Sequence, residues 1–234
     1  ETAPLPDAVS APSPILTGLL RDVSRSFYLT LWMLPGTTRH PISLAYLLAR
    51  ATDTVAATSL IPVDDRVAAL EALRRRILDP SAPIPDFAPF VHAQDPAKSS
   101  EGERILLQHL AEALALLDAS EPADQERIRI VLATITSGQE LDLRRFAGHS
   151  AGNVGALPDL DALDDYTFRV AGCVGEFWTR TCAAHLYAGR DIDEEFLLEN
   201  GVRFGKGLQL VNILRDLPKD LLQGRCYLPA DRLA

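Results

Sequence analysis

Along "GLQLVNILRDLPKDLLQGRCYLP", residues 207–229, polar oxygen-bearing side chains recur at a spacing that matters for chemistry. Asn212, Asp216 and Asp220 are each four residues apart, and four residues on an α-helix amount to one turn plus about 40°. Their side chains therefore leave nearly one face, with neighbouring Cβ atoms about 6 Å apart. Gln209, seven residues before Asp216, joins the stripe. Like charges at this spacing repel and weaken a helix slightly. A hard divalent cation reverses that, because Mg²⁺ takes one or two carboxylates and completes its shell with water and substrate phosphate. For the two aspartates alone a solvated acidic face is the better account. It accounts less readily for Asn212 and Gln209, polar side chains on the same face of an otherwise apolar run. Pro218 removes the N–H that would bond the Leu214 carbonyl, which predicts a local kink.

A second group lies in "YLLARATDTVAATS", residues 46–59, where Tyr46, Arg50 and Asp53 follow at spacings of four and three. They form either a surface Arg–Asp pair, worth a few tenths of a kcal/mol, or a metal ligand (Asp53) beside a phosphate-facing guanidinium (Arg50). In "SRSF", residues 24–27, Ser24 is placed to cap a helix, and Ser24, Arg25 and Ser26 together are placed to bind phosphate. "YTFRVAGCVG", residues 166–175, sets Ala171, Gly172 and Gly175 on one helix. These small residues permit either close helix packing or the wall of an apolar channel.

The elements that must position these groups are helical. The 234 residues are 47% hydrophobic with only 6% aromatics, rich in Ala, Leu and Arg, all good helix formers. Two short helical pieces are predicted before Pro35, and a helix with Pro41 near its first turn over 40–59. Another, over 63–78, is predicted to be capped by Asp64 or Asp65. The five-proline stretch 79–100 reads as a loop. Apolar residues three and four apart predict helices over 101–120 and 122–147, then, after a Gly-containing loop, over about 162–188, 191–200 and 202–222. No useful alternating β pattern is seen. The reading is an all-α single domain over 15–234 behind a Pro-rich arm over 1–14, its helices apolar over wide arcs as expected around a buried centre.

Net charge −9 argues against a general nucleic-acid binder. Cys173, Cys182 and Cys226 have no paired spacing and suggest reduced thiols in a cytosolic protein. No apolar run has the length of a membrane span. The chain opens on Glu1 and ends on "YLPADRLA", and is expected to belong to a longer coding sequence that continues past residue 234.

Taken in order, "SRSF", "YLLARATDTVA", "SGQELD", "YTFRVAGCVG", "GKGLQLVNILRDLPKD" and "GRCYLP" resemble the squalene and phytoene synthase family of head-to-head prenyltransferases. The Asp53–Thr54 pair is more like the squalene synthase branch and its bacterial members. The resemblance implies an isoprenoid-synthase-type helical bundle with a central apolar cavity and two aspartate-bearing helices at its mouth. It implies two prenyl diphosphates, farnesyl diphosphate or longer homologues, joined through a cyclopropyl intermediate with the help of Mg²⁺. Squalene synthases then reduce that intermediate with NADPH, whereas phytoene and dehydrosqualene synthases do not. Carried over, Asp53, Asn212, Asp216 and Asp220 would hold metal. Ser24, Arg25, Ser26, Arg50, Arg215 and Arg225 would contact diphosphate, Tyr166 would handle a proton, and Phe27, Tyr46 and Gln209 would line the cavity. The apolar product leaves room for peripheral membrane contact of a cytoplasmic protein.

One departure stands out. The family's first motif carries a second acidic residue four after the first, and here that position is Ala57. A methyl group cannot ligate Mg²⁺. Ala57 is therefore read as an engineered substitution, as a working natural variant, or as the mark of a homologue that binds prenyl diphosphate without turning it over. Restoring the carboxylate, Ala57→Asp, is expected to raise turnover and lower the Mg²⁺ requirement.

Overall fold

The computed structural model describes residues 18–21, 23, 27–94 and 101–233. The 1–14 arm and Ser24, Arg25 and Ser26 lie outside the described residues, as does the side chain of Phe27. Among the described residues, 18–21 and 23 are helical. Then follow α1 (Phe27–Met33), α2 (Gly36–Ala57), α3 (Val63–Leu78), α4 (Ala88–His92), α5 (Glu101–Gln108), α6 (Leu110–Asp118) and α7 (Pro122–Arg145). The chain continues with β1 (Gly155–Leu157), α8 (Leu160–Thr167), a π-helical turn (Phe168–Gly172), α9 (Cys173–Leu186), α10 (Glu194–Leu222), β2 (Arg225–Pro229) and a 3₁₀ turn (Ala230–Arg232).

The core forms where apolar residues recur at three and four. Leu44, Leu47, Leu48, Ala51 and Val55 of α2 are buried against Leu70, Leu73 and Ile77 of α3, Leu110, Leu114 and Leu117 of α6, and Ile128, Leu132 and Ile135 of α7. Each such side chain removed from water contributes about 1.5–3 kcal/mol. A smaller cluster, Phe146, Leu157, Tyr166, Ile213 and Tyr227, lies apart from it and joins the α7 end, β1, α8, α10 and β2.

Several boundaries differ from the sequence reading, each for a physical reason. α3 has Pro62 at its N-cap and no side-chain cap; Asp64 and Asp65 fall inside its first turn, where they favour the positive end of the helix dipole instead. Pro41 sits in the second turn of α2, not the first. The proline-rich 79–100 stretch contains α4, with Pro89 in its first turn, where a missing N–H costs nothing. The 101–120 helix breaks at His109 into α5 and α6. The 162–188 helix is interrupted by the π-turn.

The two helices expected over 191–200 and 202–222 are one, α10, which starts at Asp193, whose carboxylate accepts from the Phe196 N–H at 3.0 Å. Gly201 is no breaker. It lies where a Cβ on Gly175 would overlap the Gly201 carbonyl, and a Cβ on Gly205 would overlap the Ala171 carbonyl. Close helix packing is thus the role of the small residues of "YTFRVAGCVG". α10 also runs unbroken through Pro218.

Two strands exist where none was expected: β1 and β2 pair in parallel, Gly155 with Arg225 and Ala156 with Cys226. They are too short to show alternation. Gly224, at φ +81°, turns the chain out of α10 into β2; its N–H bonds the Leu221 carbonyl at 3.0 Å. A side chain there would be strained in that left-handed conformation.

α10 also departs from the expectation of burial. Of its residues only Gly205 and Ile213 are buried, and Phe204, Val211 and Leu214 are each more than 60% exposed. All three cysteines are free thiols. Among the described residues, no helix is long and apolar enough to cross a membrane.

Candidate functional site

The first group assembles on the last turns of α2. Gln139 on α7 donates through Nε2 to Asp53 Oδ1 at 2.6 Å. Arg50 Nη1 stands 3.6 Å from Asp53 Oδ2, while Arg50 Nη2 makes its closer ion pair with Glu103 on α5. The Arg50–Asp53 pair therefore exists but is loose, and Glu103 competes for the guanidinium. Asp53 keeps half of its side-chain surface open. Burial pushes its carboxyl up and Glu103 adds to the rise, while Arg50 and the Gln139 bond oppose it. Tyr46, half-buried beneath, is pushed up by burial and by the Asp53 and Glu103 charges, against Arg50.

The second group gathers around Asp142 of α7. Tyr227 donates its hydroxyl to Asp142 Oδ2 at 2.9 Å, and Arg225 Nη1 lies 3.7 Å from the same oxygen. Asp142 Oδ1 is buried with no hydrogen-bond partner. Burial pushes this carboxyl up; the Tyr227 bond and the Arg225 charge pull it down, and Asp220 pushes it further up. The Tyr166 ring stacks on that of Tyr227, centroids 4.5 Å apart, and both phenols are pushed well up, chiefly by burial and the Asp142 charge. Burial works against the Arg225 charge, but Tyr227, Asp142 and Asp220 more than offset it.

On α10, Asn212 Nδ2 donates to Gln209 Oε1 at 3.3 Å, which leaves the Asn212 carbonyl oxygen as an acceptor. Arg215 folds along its neighbour, with Nε and Nη2 at 2.8 and 2.7 Å from the two Asp216 oxygens, and so holds the Asp216 carboxyl below the usual range. Asp220 is pushed up by burial and by Asp216, with Arg225 opposing. Asp216 and Asp220, four residues apart on α10, feel one another's charge, while Arg215 stands against Asp216 instead of projecting free.

What joins the groups is α7. Gln139, bound to Asp53, and Asp142, bound to Tyr227 and near Arg225 and Asp220, are three residues apart and so share one helical face. Sequence reasoning assigned no role to Glu103, Gln139, Asp142 or Tyr227. Gln139 and Asp142 lie in "SGQELD" and Tyr227 in "GRCYLP", so the motifs were visible, but their partners, more than 80 residues away, were not. Two surface concavities, of about 420 and 320 Å³, lie between the N-terminal half of α7 and α9, and neither is lined by any residue of these groups. The two groups gather towards the other end of α7.

The squalene/phytoene synthase family profile matches residues 20–234. Squalene synthase of Saccharomyces cerevisiae is 28% identical over 214 residues, 91% of this chain and 44% of that protein. Phytoene synthase of Mycobacterium tuberculosis is 27% identical over 222 residues, 94% of this chain and 58% of that protein. A solved TcSQS complex with the ligand E5700 superposes with a TM-score of 0.70 at 23% identity, covering 92% of this chain and 56% of that one. A dehydrosqualene synthase complex gives 0.58 at 22% identity, covering 93% and 61%. At those identities the two structures bear on the fold alone, which is the all-helical one expected. The chain spans about half the length of these relatives, and the family match takes in nearly all of it: the chain belongs to the squalene/phytoene synthase family.

Proposed function

We propose that this chain carries the head-to-head condensation of two prenyl diphosphates, with farnesyl diphosphate the expected substrate. The observation that carries the reading is the shared face of α7, which ties Asp53 on α2 to the Asp142–Arg225–Tyr227 group beside Asp220. Acidic oxygens and guanidinium groups thereby bear on one region, as a departing diphosphate requires.

The donor set fits Mg²⁺. Asp53, Asp216, Asp220 and the free carbonyl oxygen of Asn212 are hard oxygen donors that would hold it, and a bound cation would offset the repulsion between Asp216 and Asp220. Among the described residues no three acidic, His or Cys side chains form a self-sufficient metal cluster. When bound, Mg²⁺ neutralises charge on the diphosphate oxygens as the C–O bond breaks.

The chain's own residues do the rest. Arg225 and Arg50 stand in reach of an anion and are held by Asp142 and Glu103 until one arrives. Tyr166 keeps its proton at neutral pH and therefore acts as a hydrogen-bond donor towards an oxygen anion, while Tyr227 donates its hydroxyl to Asp142. Tyr166, stacked and buried, also helps keep water from an allylic cation.

Product analysis after incubation with farnesyl diphosphate and Mg²⁺ tests the reading. Squalene formed only with NADPH identifies a squalene synthase, and an unreduced product regardless of NADPH identifies a dehydrosqualene-type synthase. Tight binding without product supports the second reading, a non-catalytic prenyl-diphosphate binder, for which Ala57 is the observation in favour.

A further inference from the structure

Arg66, in the first turn of α3, has no place in the site so far. Its Nη1 donates to the Ala56 carbonyl at 2.7 Å, which sets the guanidinium at the C-terminal end of α2 beside Ala57. Its Nε is buried with no hydrogen-bond partner, and among the described residues no carboxylate comes within ion-pair distance of it, in contrast to Arg50 and Arg74 on either side in sequence. Arg225 lies on the same side: Gln139 of α7 bonds Asp53, one turn before Ala57, and Asp142, three residues after Gln139, stands 3.7 Å from Arg225; burial, and then the charge of Arg225, depress the Arg66 pKa. A cation near a helix C-terminus stabilises the last carbonyls, and that explains the Nη1 contact. It explains neither the unpaired Nε nor the charge of Arg225 on the same side, since a half-buried cation without a counter-charge is costly.

We propose that Arg66 and Arg225 form a two-guanidinium clamp for the diphosphate, so that where the family pattern sets a metal-binding carboxylate and this chain has Ala57, the anion is met directly by a cation. The inference rests on the prenyl diphosphate reading above and adds a residue to it. The planar guanidinium fork suits two oxygens of one phosphate group. Arg225 remains tied to Asp142 at 3.7 Å, a distance loose enough to exchange for a closer anion.

The test is calorimetric titration of the purified chain with inorganic pyrophosphate in EDTA, with thermal melts of every variant. Arg66→Gln and Arg225→Gln are each expected to weaken binding about tenfold, the scale of one charge-assisted hydrogen bond. Arg66→Lys, which keeps the charge, is expected to lose less. Ala57→Asp sets a carboxylate beside Arg66 without altering it and is expected to weaken metal-free binding to a similar degree. That second variant keeps the proposal testable if Arg66→Gln folds poorly. A capping role alone would lower the melting temperature and leave the affinity unchanged. Wild-type affinity in Arg66→Gln and Ala57→Asp, with a loss in Arg225→Gln, overturns the clamp and leaves the parent reading standing. Unchanged affinity in all of them, Arg225→Gln included, overturns both.

Discussion

Tyr227→Phe removes one hydroxyl and leaves the ring. The stack on Tyr166 at 4.5 Å survives, and what is lost is the 2.9 Å bond to Asp142. The other oxygen of Asp142 is already buried without a partner, so the variant leaves a largely buried carboxylate with only the 3.7 Å Arg225 contact. Hydrogen bonds to charged groups contribute about 1.5–3 kcal/mol. With a urea dependence of about 2 kcal/mol per molar, a 2 kcal/mol loss moves the unfolding midpoint down by about 1 M.

The pH dependence has a definite sign. Asp142 is raised in the folded chain, so from about pH 4, the unfolded value, up to its folded pKa the native state binds the extra proton. Its contribution to stability therefore falls as pH rises through that window. The Tyr227 bond opposes the rise, and its removal lifts the folded pKa further. The destabilisation by Tyr227→Phe should accordingly be largest above neutrality and shrink towards about 1 kcal/mol at low pH, where a protonated Asp142 needs no charge stabilisation. Urea melts at pH 5 and pH 8 decide it. A midpoint shift under about 0.3 M, or one equal at both pH values, refutes the reasoning.

Asp220→Asn removes a charge that burial and Asp216 together disfavour more than Arg225 favours it; without metal the variant should melt at or slightly above the parent, by a few tenths of a kcal/mol, while Mg²⁺-dependent turnover falls about a hundredfold or more. Gly205→Ala drives a methyl into the Ala171 carbonyl and should cost about 1–3 kcal/mol, read as a lower denaturation midpoint. Ala57→Asp adds an oxygen ligand to the Asp53 end of the site, so in Mg²⁺ it should raise turnover and lower the half-saturating metal concentration, the reverse of its expected effect on metal-free pyrophosphate binding. A flat metal titration would show that position 57 lies outside the metal's reach.

Local spacing made part of this site legible. Asn212, Asp216 and Asp220 share a face because four residues make about a helical turn, and Tyr46, Arg50 and Asp53 do so for the same reason. The bond between Asp53 and Gln139 was not legible, because it spans 86 residues and no periodicity encodes which helices meet. Gly201 falls between the two helices expected over 191–200 and 202–222, and its intrinsic helix propensity is weak. In the fold it lies at a backbone contact with Gly175 that only small residues permit, and tertiary packing overrides the propensity. β1 and β2 escaped notice because three and five residues are too few to show alternation. The apolar arc of α10 was read as core, since a pattern gives the width of an arc but not what lies against it.

The proposed convergence of Asp53 and Asp220 on one diphosphate is tested most directly by Mg²⁺-dependent release of pyrophosphate from farnesyl diphosphate, measured for the parent chain, Asp53→Ala, Asp220→Ala and the double variant. Two groups acting on one leaving group predict a parent activity that each single change reduces about a hundredfold or more, with the double variant little worse than either single one. Release from the parent that neither substitution affects would contradict it.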